Sequence, residues 1–373
     1  MKKIRVLIVD DSVVIRRLLS DILGQEPDIE VAGTAPNGRI ALAKLPQINP
    51  DLVTLDVEMP ELDGLETLRE LRKTYPKLPV IMFSTLTSRG AAETLDALAS
   101  GASDYVAKPA NVGSVAAGIQ SVREQLLPKL QALCAPHPAA PVLRSVVSGV
   151  ARPLQRTPVA GPRRFDAAVI GSSTGGPQAL GKILTALPAD FPVPIVVVQH
   201  MPPVFTQHLA NRLNQECALQ VSEARAGDRL EPGRVLIAPG DFHVELVRRG
   251  SEVHVALNQA PPENSCRPAV DVLFRSAASV YGPHCLGVVL TGMGQDGLRG
   301  SEAIVRCGGG VMTQDQATSV VWGMPRAVAE AGIAQSVIPL PNISQELVKL
   351  TSGGRRLSTA AAFATGDRTA AKG

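Results

Sequence analysis

Aromatic side chains are scarce in this sequence of 373 residues: seven Phe, three Tyr and one Trp make up 3% of it. Its cores must therefore be built from Ala, Val, Leu and Ile, and a hydrophobic content of 45% against 19% charge is enough to exclude wholesale disorder. No apolar run reaches the roughly 18–20 residues of a membrane-spanning helix. The opening Met-Lys-Lys leads into a six-residue run, Ile4 to Val9, too short for a signal peptide. The expectation is a cytoplasmic protein that does not insert into a membrane. Cysteine is sparse as well: Cys134, Cys217, Cys266, Cys285 and Cys307 are odd in number and form no C-x-x-C pair. That argues against a disulfide framework and against a thiol-rich zinc site.

The length predicts two domains with connecting chain. The net charge of +3 hides a strong segregation. Residues 1–127 carry a net −3, residues 128–164 a net +6 with no acid at all, residues 165–351 a net −3, and residues 352–373 a net +3. The second segment holds seven prolines and no aromatic residue, so it lacks the means to bury a core and reads as a flexible basic linker. The last segment, from Ser352 on, reads as a disordered tail. Basic tracts without interleaved aromatics are solvated chain rather than a nucleic-acid surface, and no nucleic-acid partner is expected.

In residues 1–127, short β-branched runs alternate with helical patterns. Strands are predicted at Ile4–Val9, Glu30–Ala32, Leu52–Leu55, Val80–Phe83 and Asp104–Val106, and helices near 13–23, 38–45, 64–74, 90–100 and 114–126. Five βα units imply an α/β fold with a doubly wound parallel sheet, whose ligands sit at the carboxyl ends of the strands. Residues 165–351 repeat the scheme on a larger scale, with strands at Asp166–Ile170, Ile195–Val198, Cys285–Leu290 and Gly310–Thr313. Residues 235–257 read instead as a polar hairpin region with turns at Pro239-Gly240 and Arg249-Gly250.

Asp10 and Asp11 follow the first predicted strand, Asp56 follows the third and Lys108-Pro109 the fifth. A doubly wound sheet brings these positions to one edge. Crowded carboxylates repel unless a hard cation is present, Mg²⁺ takes such oxygen ligands, and a nearby Lys can pair with added phosphate oxygens. Acids after strands can also be plain helix caps, which is how Asp51 and Asp63 read. Residues 1–125 resemble the receiver domain of two-component response regulators. The resemblance implies that Asp56 accepts a phosphoryl group, that Asp10, Asp11, Asp56 and the Glu58 main-chain carbonyl hold Mg²⁺, and that Ser84 and Lys108 contact the phosphate. It also places Tyr105 at the family's aromatic switch position.

A second constellation lies in residues 165–351. Gly171-Ser172-Ser173-Thr174-Gly175 joins a predicted strand to a helix and contains a literal G-x-S-x-G, a turn that lifts a hydroxyl into the open beside free helix N–H groups. Such a glycine-rich loop also suits a phosphate, although the G-x-G-x-x-G dinucleotide fingerprint is absent. The next strand delivers His200, and a later one runs into Thr291-Gly292-Met293-Gly294-Gln295-Asp296-Gly297. Nucleophile, base and orienting carboxylate then come from carboxyl ends of parallel strands. Each has a bland alternative: Ser172 or Thr174 could be the hydroxyl, His200 a core histidine, and Asp296 a cap for the helix that follows. The chain order Ser, His, Asp differs from that of the α/β-hydrolases.

Residues 165–350 resemble the catalytic domain of the chemotaxis protein-glutamate methylesterases. The carrying motifs are Gly171–Gly176, Gln199-His200-Met201-Pro202-Pro203, Arg267-Pro268-Ala269-Val270-Asp271, Thr291–Gly297 and Val321-Trp322-Gly323-Met324-Pro325. The order receiver, linker, catalytic domain matches that family across nearly the whole chain. The resemblance implies hydrolysis of γ-glutamyl methyl esters, and deamidation of certain glutamines, on the cytoplasmic helices of chemoreceptors. Ser173 would be nucleophile, His200 general base, Asp296 its orienter and the Met293 N–H the oxyanion donor, with no cofactor for the ester step. A chemotaxis histidine kinase would be the phosphodonor, and phosphorylation would release an inhibitory receiver. The competing expectations are a response regulator whose degenerate catalytic domain serves only as an interaction module, and a DNA-binding regulator, disfavoured by the acidic output half and the lack of a helix-turn-helix.

Overall fold

The computed structural model describes residues 3–108, 115–134 and 164–352. The first unit alternates strictly: β1 (Ile4–Val9), α1 (Val13–Gly24), β2 (Ile29–Ala35), α2 (Gly38–Ile48), β3 (Leu52–Asp56), α3 (Gly64–Thr74), β4 (Val80–Ser84), α4 (Ser88–Ala99), β5 (Asp104–Ala107) and α5 (Val115–Cys134). Its strands form one parallel sheet in the order β2-β1-β3-β4-β5, so the winding reverses between β1 and β3. Every residue of β3, β4 and β5 is buried, as a sheet covered by helices on both faces requires. Short polar side chains start the helices. Ser12, Asn37 and Thr87 each accept from an N–H in the first turn, and Asp63 with Glu66 closes a capping box on α3.

Helix α5 corrects the expected start of the linker at residue 128, because it continues to Cys134. Pro128 lies inside it, and an interior proline costs on the order of 3 kcal/mol. Val122, Leu126 and Leu130, spaced by four on one helix face, are fully buried against the core, and their burial offsets that cost. The remaining expected linker residues 135–163 and the tail from 353 lie outside the described residues.

The second unit comprises β6 (Ala167–Ser172), α6 (Gly176–Leu184), β7 (Ile195–Gln199), α7 (Phe205–Glu216), β8 (Gln220–Glu223), β9 (Arg234–Ile237), β10 (His243–Arg249), β11 (Glu252–Asn258), α8 (Val270–Tyr281), β12 (Cys285–Val289), α9 (Leu298–Arg306), β13 (Gly310–Gln314), α10 (Met324–Glu330), β14 (Ser336–Ile338) and α11 (Leu340–Thr351). Seven of its strands form a sheet in the order β14-β13-β12-β6-β7-β9-β8, with every neighbouring pair parallel. Both units are therefore doubly wound α/β folds, as their alternation of strands and helices implied.

Three of the seven strands were not legible from pattern. β8 and β14 are edge strands of four and three residues, too short and too polar to stand out. β9 falls at the start of the stretch expected to be a polar hairpin, and residues 235–237 belong instead to the main sheet. The hairpin itself is the antiparallel pair β10–β11, which turns at Arg249-Gly250.

Register decides where the chemistry falls. Val9 lies opposite Leu55, Asp56 opposite Phe83 and Ser84 opposite Ala107, so Asp10, Asp56, Ser84 and Lys108 share one edge. In the second sheet Ser172 pairs with Gln199 and Val289 with Gly171, which aligns Ser173, His200 and the loop after β12. One buried apolar cluster runs from Leu95, Leu98 and Tyr105 of the first unit into Phe205, Leu209 and Leu213 of the second.

Candidate phosphoacceptor and active sites

At the edge of the first sheet, Asp10, Asp11 and Asp56 bring carboxylate oxygens within 4.8 Å of one another. Asp10 and Asp56 are buried, while Asp11 is exposed. The Lys108 ammonium lies 2.7 Å from Asp56 and 3.2 Å from Asp10. Apart from it, no donor among the described residues reaches the buried Oδ2 atoms of these two acids. Burial disfavours their charge more than Lys108 favours it, so the Asp10 carboxyl is raised and Asp56, repelled also by Asp10, is pushed up to about 7. Under-compensated oxygens on a polar rim fit a hard divalent cation, Mg²⁺ above all. Ser84 stands at the same edge, but its hydroxyl faces the carbonyls of Gly90 (3.1 Å) and Thr85 (3.3 Å) rather than Asp56. Glu58 enters through its N–H, which donates to Asp56 Oδ1 at 3.3 Å.

At the edge of the second sheet the chain turns sharply after β6. Ser173, half-buried, donates its N–H to the Thr291 carbonyl (3.0 Å), and its own carbonyl accepts from Gln199 Nε2 (3.0 Å). The turn needs glycine at 175, where φ is +75° and a Cβ would stand 2.6 Å from Val320. Glycine at 292 lets the loop after β12 close on Ser173, since a Cβ there would lie 2.8 Å from that of Ser173. The next N–H, that of Met293, makes no hydrogen bond among the described residues and is free to donate to a substrate. Ser172 is buried with its hydroxyl on Gln199 Oε1, and the Thr174 hydroxyl is committed to Asp104, which leaves Ser173 as the available one.

His200 Nε2 lies 2.7 Å from Asp296 Oδ2. Asp296 is almost fully buried and also accepts from the backbone N–H groups of Val270 (2.7 Å) and Asp271 (3.0 Å) and from Asn264 Nδ2 (2.8 Å). Burial alone would raise its carboxyl; the hydrogen bonds from His200 and from the N-terminus of α8 outweigh that and hold it below the ordinary range. The alternative role for Asp296, a cap on the following helix, falls mainly to Asp271, whose Oδ1 accepts from Gly297 and Gly300, with the Gly297 N–H shared with Asp296 Oδ1 (3.0 Å). Asp296 chiefly serves the start of α8, so the two acids cap across one another. His200 is likewise opposed by burial, yet its contacts with Asp296 and Cys266 push it up to about 10. Among the described residues no hydrogen bond joins the Ser173 hydroxyl to His200; the other ring nitrogen, Nδ1, faces Cys266 Sγ at 3.4 Å. Asn264 and Cys266 were invisible in sequence because no spacing rule links them to a triad, and Gln199 lay in the His200 motif without a role. Asp271 lay in a quoted motif without a role.

The two units are joined through β5 and α4, away from the carboxyl-end edge that holds Asp56. Asp104, at the start of β5, accepts from Thr174 Oγ1 (2.5 Å) and pairs with Lys129 (3.0 Å). The neighbouring Tyr105 ring stacks on Phe205 with centroids 4.8 Å apart and planes within 7°. Gln178 donates to the carbonyls of Leu98 and Ala102, His208 meets Ser88 at 2.8 Å and Arg212 meets Asp96 at 2.7 Å. Among the described residues no helix is long and apolar enough to cross a membrane.

Residues 168–347 match the family model described as CheB methylesterase, and residues 6–120 match the response regulator receiver domain. A protein-glutamate methylesterase/protein-glutamine glutaminase of Trichodesmium erythraeum is 53% identical over 94% of this chain and 99% of its own length. One of the same name from a Nocardioides species is 54% identical over 94% of this chain and 96% of its own. The crystal structure of the Thermotoga maritima CheB methylesterase catalytic domain shares 46% identity, covering 50% of this chain and 98% of that one, with a TM-score of 0.49.

Proposed function

This chain belongs to the protein-glutamate methylesterase/protein-glutamine glutaminase family, and we propose that it is a serine hydrolase switched by phosphorylation of Asp56 and acting on methylated chemoreceptors. A receiver unit ending with α5 controls a catalytic unit spanning residues 165–351, and the basic, proline-rich segment between them is the tether. The observation that carries the catalytic reading is the 2.7 Å contact between His200 and the fully hydrogen-bonded Asp296, one strand away from the only uncommitted hydroxyl of the Gly171–Gly175 turn.

In the proposed reaction Ser173 attacks the γ-carbonyl of a methylated glutamate and His200 takes its proton. The Met293 N–H donates to the developing oxyanion, and His200 returns the proton as methanol leaves. Water then releases the acyl group by the same relay in reverse. A glutamine side chain loses ammonia on the same path. Asp296 holds Nε2 protonated and stabilises the imidazolium. No cofactor enters this step.

In the receiver, Asp10, Asp11, Asp56 and the Glu58 carbonyl would hold Mg²⁺, which neutralises charge on the incoming phosphoryl group. A carboxyl phosphate carries about two negative charges, enough to draw Lys108 and the Ser84 hydroxyl towards it. A histidine kinase of the chemosensory array is the donor this chemistry calls for. Strand β5 supports a switch, since it carries Asp104 and Tyr105 to the catalytic unit and delivers Lys108 to the acids. Movement at one end loosens contacts at the other, beside the nucleophile. Methanol release from methylated receptor membranes tests the whole reading: it should require Ser173 and rise with phosphodonor. A wild-type rate from Ser173→Ala would sink it, and a chain with no esterase activity at all would be an interaction module.

A further inference from the structure

We propose that Cys266 is a positioning residue for the esterase reaction: it holds His200 in a resting arrangement by occupying the one ring nitrogen that Ser173 must use. The inference rests on the Ser173, His200, Asp296 reading above. An imidazole has two nitrogens, and the Asp296 carboxylate at 2.7 Å requires the proton on Nε2. Only Nδ1 is left to accept a proton from Ser173. That nitrogen is met by Cys266 Sγ at 3.4 Å, while no hydrogen bond joins Ser173 to the ring.

Cys266 is fixed there by a tight turn. Glu263 and Cys266 exchange backbone hydrogen bonds of 3.1 and 2.9 Å around Asn264 and Ser265, both with positive φ (52° and 62°). Two bonds of 2.6 Å from Arg275 to Glu263 pin one end, and Arg267 binds Asp241 just beyond the other. Asn264 Nδ2 reaches both Asp296 (2.8 Å) and Asp271 (3.0 Å). One turn thus sets both partners of the imidazole, the carboxylate on Nε2 and the sulfur on Nδ1. The ionisable groups that act on the ring are Asp296 from the loop after β12 and Cys266 from this turn, while Glu263 of the turn and Asp271 of α8 act on Asp296 behind it.

Sulfur suits a resting partner that must yield. A thiol is a weak hydrogen-bonding group, so a serine hydroxyl brought up by bound substrate can displace it at little cost. While the contact lasts Nδ1 keeps its own proton and donates it to the sulfur, so the base is not available, and its two partners together favour that charged ring.

The test uses the full chain with its histidines labelled in ¹⁵N, in Cys266→Ala, Cys266→Val and Ser173→Ala. The valine variant fills the space of the thiol, with one methyl more, without a hydrogen-bonding atom. The His200 Nδ1 resonance should move in both Cys266 variants and stay in place in Ser173→Ala. In the same Cys266 variants, the acid limb of kcat/KM for methanol release should shift by about one pH unit to lower pH, raising the rate at pH 7 about tenfold. An unmoved resonance, an unmoved acid limb or a fall in rate overturns the proposal. Failure of the underlying triad is seen separately, as methanol release that persists in Ser173→Ala.

Discussion

Two carboxylates, Asp56 and Asp296, sit at the carboxyl ends of parallel strands, nearly fully buried, and they are treated in opposite ways. Asp296 receives donors from His200, Val270, Asp271 and Asn264, and its carboxyl is held low. Among the described residues Asp56 has Lys108 and a single backbone N–H; it shares its pocket with Asp10 and is pushed up to about 7. The difference teaches what each site awaits. In the proposed reading, a carboxylate whose hydrogen bonds are complete works as it stands, whereas one left under-compensated is prepared to gain a cation and a covalent partner.

The sharpest way to break the comparison is to remove one chemistry and look for the other. Ser173→Ala should lower methanol release by about 10⁶-fold while leaving labelling by a small phosphodonor with Mg²⁺ intact. Asp56→Asn should do the reverse, abolishing labelling and leaving basal esterase activity. If either variant lost both, the two sites would not be separable as described. Asp296→Asn comes next. An amide cannot orient and stabilise the imidazolium, and a loss on the order of 10⁴ in kcat is expected; a loss under tenfold would demote Asp296 to a plain cap of α8.

Smaller effects probe the join and the empty charge. Thr174→Val removes the hydrogen bond to Asp104 and should raise the rate without phosphodonor about fivefold, the equivalent of about 1 kcal/mol. Unchanged basal activity would mean that Asp104 does not restrain the nucleophile loop. Magnesium should show the smallest change. Because the folded pKa of Asp56 is raised, the folded state holds a proton that the unfolded chain has lost between about pH 4 and pH 7. Stability therefore falls as pH rises through that window. Millimolar Mg²⁺ should return a few degrees of Tm at pH 8 and almost none at pH 5. A gain independent of pH would place the ion elsewhere.

Much of this is legible in the sequence. The alternation of short β-branched runs with helical patterns implies doubly wound sheets, and that rule carries Asp10, Asp56, Lys108, Ser173, His200 and the Asp296 loop to strand ends. Edge strands β8 and β14 escaped because three or four half-buried residues have no period to detect. The end of α5 escaped because Pro128 and the loss of acidic residues both suggest a boundary, while Leu126 and Leu130 are buried on the core.

The sequence by itself determined the order of elements, the segregation of charge and which side chains stand at which strand ends, since these follow from local pattern. Only the tertiary structure decided who partners whom. Asp271 more than Asp296 caps α9, Thr174 reaches Asp104, and Cys266 rather than Ser173 meets His200 Nδ1. Each of those contacts joins residues more than 20 apart in the chain. Their distances are fixed by how sheets, loops and two units pack, which no local pattern encodes. The low aromatic count has its consequence here as well, for Tyr105, one of only three tyrosines, stacks on Phe205 where the receiver meets the catalytic unit.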